Sequence, residues 1–182
     1  VADSALAVCG ECLEIGARPW RHAVSVFPYG GTVRELVHRL KYRDQPYLAR
    51  FLGRRMAEAW QEHGTGVPDA VVFVPLHWRR RLGRGYNQAA LLAEEVSEAL
   101  GLPLLPALRR TRATQRQALL DIDRRKANVK GVFAQRSRWP VRGRHVLLLD
   151  DVLTTGHTLG EAAETLLAAD ALAVSILTVA RG

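Results

Sequence analysis

Cysteine, lysine and methionine are scarce in this chain. Two cysteines stand among 182 residues, both within Cys9-Gly10-Glu11-Cys12, so a scaffold of several disulfides is excluded and stability has to come from apolar packing. Lys41, Lys126 and Lys130 are the lysines among 26 basic residues, so the net charge of +8 is carried almost wholly by arginine. Long apolar runs are missing too. No stretch reaches the roughly 18 to 20 uncharged apolar residues of a membrane helix; even Ala171 to Ala180 is short and holds Ser175 and Thr178. No membrane insertion is expected. No basic and apolar leader opens the chain, which leaves the cytoplasm as the expected compartment. The first residue is Val1 rather than methionine, so residues upstream are expected to have been trimmed or lost. There is no internal repeat and no low-complexity segment.

What is present is enough apolar side chain, 48% of residues, to bury one core with a small appendage. Arginine's planar fork matches phosphate geometry, so the surplus points to phosphorylated ligands or nucleic acid. Many of these side chains are also expected simply to be solvated on helix faces.

The chain is organised around Val146 to Thr158. Four apolar residues, Val146 to Leu149, read as a strand buried on both faces of a parallel sheet. Asp150 and Asp151 then sit at its carboxyl end, where open α/β sheets place their ligand crevice. Thr154, Thr155, Gly156, His157 and Thr158 follow as a hydroxyl-rich loop, and Leu159, Ala162, Ala163 and Leu166 repeat at helical spacing. A glycine turn opening a helix presents backbone N–H groups and the positive end of the macrodipole to an anion. Two carboxylates beside such a cradle suit a sugar phosphate, with Mg²⁺ nearby. The plain alternative is a turn whose Thr158 or Asp151 only caps the helix. It leaves the second acid, the glycine and the other hydroxyls without a task.

The remaining elements predict a parallel-sheet α/β domain flanked by helices. A helix is expected over Thr32 to Arg43, with Thr32 and Glu35 spaced as a capping box, and a second over Leu48 to Trp60 after Pro46. Its Lys41-Tyr42-Arg43 end reads equally as a solvated terminus or a ligand contact. Ala70 to Val74 reads as a buried strand closed by Pro75. Next come Leu76, His77, Trp78, Arg79, Arg80, Arg81, Arg84, Gly83 and Gly85, a basic loop before a helix that Asn87 can cap. It is a place for a second anionic group such as pyrophosphate. Leu102 to Leu108, with Pro103 and Pro106, reads as irregular or an edge. Residues 109 to 130, with Arg109, Arg110, Arg112, Arg116, Arg124, Arg125, Lys126 and Lys130, lack an amphipathic period and read as a mobile basic flap, a lid or a disordered stretch. Strand character returns at Asn128 to Phe133, and a last strand is expected over Ala173 to Val179.

One Cys-x-x-Cys pair is half a zinc site unless His22 or an upstream pair completes it. Two free thiols on a disordered tail are the alternative. Residues 1–28 are thus set apart as an N-terminal remnant, possessing Cys9 and Cys12, from a domain over 29–182 whose first part, 29–66, is helical.

The segment Val146 to Thr158 closely resembles the phosphoribosyl pyrophosphate (PRPP) motif of type I phosphoribosyltransferases. That resemblance implies that Asp150 and Asp151 hold the ribose 2′ and 3′ hydroxyls and that Thr154 to Thr158 hold the 5′-phosphate. The whole chain resembles the ComF family, phosphoribosyltransferase-like proteins linked to competence and DNA uptake. The likeness rests on the Cys9/Cys12 pair, Tyr29-Gly30-Gly31 leading to Leu40-Lys41-Tyr42, Val74-Pro75-Leu76-His77, Arg84-Gly85-Tyr86-Asn87-Gln88, Thr114-x-x-Gln117-x-x-Leu120, Arg125-x-x-Asn128-Val129 and the PRPP motif. It departs at the amino end, where relatives carry a second cysteine pair. Hypoxanthine-guanine type enzymes place an aspartate where Thr154 stands, so a 6-oxopurine acceptor is not expected. Orotate-type enzymes share the Thr-Thr-Gly form but not the rest.

The resemblance implies Mg²⁺-dependent transfer of phosphoribose with release of pyrophosphate, the acceptor being open. Asp150, Asp151, Arg79 and Arg84 would be catalytic. Leu76 and His77 would join the phosphate-binding residues, and Arg116, Arg125 and Lys126 would act from the flap. Asp150 and Asp151 would meet magnesium indirectly, and Cys9 and Cys12 would hold structural zinc. Two other functions share the motif: handling of single-stranded DNA with competence proteins, and sensing of PRPP without turnover.

Overall fold

A computed structural model of the chain describes residues 18–43, 45–76, 85–111 and 131–182. Within them the elements run β1 (His22–Pro28), α1 (Gly31–Tyr42), α2 (Leu48–His63), β2 (Ala70–Phe73), α3 (Gln88–Leu100), β3 (Leu108–Arg110), β4 (Phe133–Gln135), β5 (His145–Leu153), α4 (His157–Leu167) and β6 (Ala173–Arg181). Four strands form one sheet in the order β1-β6-β5-β2, and every pairing in it is parallel. β5 and β6 take the centre because they are apolar on both faces, and they stay in register from His145↔Ala173 to Leu153↔Arg181.

Alternation along the strands splits the core into two layers. On one face Val72, Val146, Leu148, Val174 and Ile176 share a cluster with Leu159, Ala162, Ala163 and Leu166 of α4. On the other, Val71, Leu147, Leu149, Leu177 and Val179 share one with α1 (Val37, Leu40), α2 (Leu52, Met56) and α3 (Leu92, Val96). The fold is therefore α/β, a parallel sheet between helical layers, as the pattern of the sequence predicts. β3 and β4 form a separate antiparallel ribbon that closes the α4 side through Leu108, Val132 and Phe133. Among the described residues no helix is long and apolar enough to cross a membrane.

Several boundaries differ from expectation, each for a tertiary reason. Residues 22–28, grouped above with the N-terminal remnant, form β1 and pair in parallel with β6; an edge strand with a half-exposed face carries too weak an apolar pattern to announce itself. Thr32 and Glu35 build no capping box. The helix begins at Gly31 without a side-chain cap, and Glu35 pairs instead with Arg39 and Arg43. Leu104, in no strand itself, makes one parallel bridge to Val71 of β2. The first residues of the expected flap, Arg109 and Arg110, belong to β3, and β4 begins only at Phe133. Residues 112–130 lie outside the described residues, as does Asn128.

α2 and α3 cross closely at Gly53. A Cβ there would stand 2.5 Å from Glu95 Cβ and 3.3 Å from the Leu92 carbonyl oxygen. In an exposed helix, Gly→Ala would add about 1 kcal/mol of stability. At this crossing the overlap, with a typical overpacking cost of about 1–3 kcal/mol, opposes that gain. We expect Gly53→Ala to lower the stability measured by urea denaturation; a more stable variant would show that the helices are free to part.

Candidate active site at the carboxyl rim of the sheet

Because the four strands run parallel, their carboxyl ends share one rim, and the loops after β2 and β5 leave from it. Asp150 and Asp151 lie on that rim, side by side in β5, and neighbouring strand residues face opposite sides of a sheet. Asp151 turns into the layer of three helices. Its Oδ1 is 2.8 Å from Lys41 Nζ at the end of α1, and its side chain is 6% exposed. Its Oδ2 accepts a hydrogen bond from Gln88 Nε2 of α3 at 2.8 Å. Asp150 stays partly exposed on the side of the ribbon, where Arg110 carries the nearby positive charge. Its Oδ1 accepts from the Asp151 backbone N–H at 2.8 Å.

This arrangement sets the ionisation of Asp150. Burial, and then repulsion from Asp151, push the Asp150 carboxyl from 3.8 up to about 7, against the pull of Lys41, the Asp151 N–H and Arg110. Burial also works against the Lys41 ammonium, yet attraction and hydrogen bonding from Asp151, with Asp150 behind, hold its pKa above the ordinary lysine value.

The glycine turn sits where the sequence places it. Gly156 adopts φ 78°, in the left-handed region, and α4 starts at the next residue. The N–H groups of the helix's first turn lack intrahelical acceptors and open onto the rim. Thr154 is exposed, while Thr155 is buried with its Oγ1 3.1 Å from His157 Nδ1. A clasp covers the back of the turn. Arg18 donates from Nη1 to the Thr155 carbonyl oxygen at 2.9 Å, and its guanidinium lies 5.3 Å from the centroid of the Trp20 ring. A Cβ on Gly156 would be 2.8 Å from that Nη1 and 3.1 Å from Trp20 Cη2, so close packing as well as φ demands glycine.

The loop after β2 locks onto the same rim through its last residues. Asn87 caps α3, accepting from Ala89 N at 3.1 Å and donating to the Val74 carbonyl at 3.1 Å. Tyr86 Oη donates to the Leu40 carbonyl at 2.6 Å, tying the end of α1 to the start of α3.

Comparison with known proteins agrees with this geometry. A family model described as phosphoribosyl transferase domain matches residues 87–182. The DNA utilization protein YhgH of Escherichia coli K12 is 38% identical over 95% of this chain and 77% of its own length. Competence protein F of Haemophilus influenzae is 34% identical over 87% of this chain and 71% of its own. The chain belongs to the ComF family, within the type I phosphoribosyltransferase superfamily. Its fold is similar to the solved structure of the allosteric regulatory enzyme of purine biosynthesis, with a TM-score of 0.52 and 21% identity over 78% of this chain. This chain spans 29% of that enzyme's length, and the likeness is one of fold.

In this ComF protein the structure brings Asp150, Thr154, Thr155, Gly156, His157 and Thr158 to one strand end and helix start, with Leu76 beyond the neighbouring strand β2. Asp151 shares the position but has both carboxylate oxygens engaged by protein. His77, Arg79, Arg84, Arg116, Arg125, Lys126, Cys9 and Cys12 lie outside the described residues. His22, considered for zinc, sits in β1 with Nε2 3.0 Å from the His63 carbonyl oxygen. Reading the sequence assigned no task to Gln88, Arg18 or Trp20 and left Lys41 undecided. One signal was available for Lys41. It is the lone lysine before residue 126 in an arginine-rich chain, and a compact ammonium suits a single buried carboxylate oxygen.

Two substitutions separate the acids. Asp151→Asn leaves Lys41 without its counter-charge and is expected to cost about 3 kcal/mol in denaturant unfolding; an unchanged midpoint would refute the anchor. Asp150→Asn is expected to stabilise, with a pH signature. Below 3.8 the proton is held in both folded and unfolded states. As pH rises the unfolded chain ionises first, so native Asp150 costs stability progressively until it ionises near 7. The melting temperature of Asp150→Asn should therefore exceed that of the parent by on the order of 5 °C at pH 8 and converge with it toward pH 4. A gap independent of pH would contradict the raised pKa.

Proposed function

We propose that this ComF protein binds PRPP with magnesium and transfers the phosphoribosyl group to an acceptor, releasing pyrophosphate. The observation that supports this reading is the pairing of a partly exposed Asp150 with the Gly156 turn at one strand end. The 5′-phosphate lies on the N–H groups of α4's first turn and the Thr154 and Thr158 hydroxyls. Asp150 accepts hydrogen bonds from the ribose hydroxyls. Asp151, held by Lys41 and Gln88, fixes the strand end from behind rather than meeting the sugar directly.

In the reaction the bond between C1 and the pyrophosphate oxygen breaks, the acceptor's lone pair forms the new bond to C1, and the acceptor's proton passes to solvent. Positive charge develops on the ribose ring, and an ionised Asp150 beside it favours that charge in a site shielded from water. Above about pH 7 Asp150 is ionised without ligand. Arg79 and Arg84 are assigned to the leaving group, and Arg116, Arg125 and Lys126 to a closing flap, on the residues alone.

The described residues gather no group of three or more His, Cys, Asp or Glu as a metal site. Asp150 with substrate phosphate oxygens nevertheless fits magnesium, which takes one or two protein carboxylates and completes its shell with phosphate and water. When bound, the ion would neutralise charge on the leaving pyrophosphate. Zinc at Cys9 and Cys12 would be structural.

The names of the relatives, DNA utilization protein and competence protein, favour a second reading in which the chain handles single-stranded DNA during uptake. Pyrophosphate release from PRPP against a panel of nucleobases and amines distinguishes turnover from binding alone. For the site itself, calorimetry with PRPP and Mg²⁺ should show Asp150→Asn binding about 10- to 100-fold more weakly, from roughly 1.5–3 kcal/mol per charged hydrogen bond lost. Parent-like affinity in that variant would sink the assignment of Asp150 to ribose.

A further inference from the structure

A second basic feature lies at the base of the β3–β4 ribbon, at the end where Leu108 pairs with Gln135. A cleft of about 450 Å³ opens there, lined by Arg109, Gln135, Arg136, Ser137, Arg138 and Trp139. Among the described residues no carboxylate lines it. Among the described residues none of the three guanidiniums of the cleft is paired with a carboxylate. Like charges gathered without a counter-ion favour an anion between them, and arginine's fork suits phosphate.

The cleft is also a built shape. Gln135 Nε2 donates to the carbonyls of Arg136 at 2.7 Å and Trp139 at 3.0 Å. The Trp139 N–H donates to the Arg136 carbonyl at 2.9 Å, and the Arg136 N–H to the Ala107 carbonyl at 2.7 Å. Residues 135–139 are thereby fixed as a turn. Trp139 packs against the core beneath it yet stays partly exposed, with the Arg138 guanidinium 5.8 Å from its ring centroid. An indole held this way offers one face for stacking.

This cleft is separate from the rim. Arg109 and Arg110 face opposite sides of the ribbon; Arg110 bears on Asp150, whereas Arg109 lines the cleft. The other end of the ribbon leads to Gly131, whose N–H donates to Glu161 of α4.

We propose that the Arg109–Arg136–Arg138–Trp139 cleft binds a nucleotide unit, its phosphate on the arginines and its base stacked on Trp139. The volume is in the range of small-ligand sites. Two sources present this chemistry, a free nucleotide and an unpaired nucleic-acid strand; a duplex keeps its bases stacked inside and does not. The proposal stands without the PRPP reading.

The test uses the full chain with two probes: a fluorescent oligothymidylate of about eight nucleotides, within the footprint of single-strand grooves, and thymidine 5′-monophosphate. Arg136→Ala with Arg138→Ala, both at exposed positions, should weaken binding about tenfold or more. For the oligonucleotide it should reduce the logarithmic salt slope by about two. Trp139→Leu should weaken binding about tenfold, with Trp139→Phe retaining most of it. Ribose 5-phosphate, measured by calorimetry, should bind the double variant and the parent alike. Loss confined to the oligonucleotide identifies a strand as ligand; loss for both probes identifies a nucleotide site in the general sense. Parent-like binding by the double variant, no binding of either probe by the parent, or parallel loss of ribose 5-phosphate would each overturn the proposal. Unchanged binding by Trp139→Leu would overturn the stacking.

Discussion

The buried contact of Asp151 with Lys41 and Gln88 is the constraint on which the rim depends. It joins the end of α1, the carboxyl end of β5 and the start of α3 through one carboxylate. Such a pair adds little net stability, because taking two charges out of water offsets most of their attraction. Its value is positional. Apolar packing of α1 through Val37 and Leu40 tolerates sliding, whereas a carboxylate with one donor on each oxygen does not. The Tyr86 hydroxyl on the Leu40 carbonyl repeats the restraint at the residue before Lys41.

The same contact sets the electrostatics beside it. Burial is the larger reason that a negative charge is costly at Asp150, and the neighbouring Asp151 adds to it. Asp150 is thus held at a threshold, neutral or charged according to pH and to whatever cation or hydroxyl reaches it. A ligand that brings hydroxyl donors or positive charge favours the ionised form of Asp150. Paired acids of this kind do not act as twins: one is spent on architecture and leaves the other poised. The cost in stability falls at the position with an open face, where functional groups commonly oppose the fold.

Positive charge is distributed with similar economy. Arg18 supports the glycine turn from behind through the Thr155 carbonyl. Arg110 adds positive charge near Asp150, and Arg109, Arg136 and Arg138 gather at the base of the ribbon. Strand alternation in one short antiparallel ribbon therefore sends Arg110 toward a carboxylate and Arg109 into an arginine-lined cleft. A net charge of +8 says only that anions are attracted; the ribbon decides where they can settle.

The sequence by itself determined the α/β class, the apolar centre of the central strand at Val146 to Leu149 and the helix after Gly156; it ended that strand at the acids, whereas β5 carries Asp150 and Asp151 within it and runs on to Leu153. These are legible because they depend on local signals: uninterrupted apolar runs, helical spacing, and a glycine at a turn. Asn87 as a helix cap was legible for the same reason. β1 was not, since an edge strand is placed by pairing with β6, 153 residues away in the chain, as His22↔Ser175 and its successors show. Nor could Asp150 and Asp151 be told apart in the sequence, where they are identical neighbours. Only the tertiary structure decided that one faces the helical layer and meets a lysine 110 residues distant, while the other faces the rim, because the pleat sends adjacent side chains to opposite sides and the two sides were built from different parts of the chain.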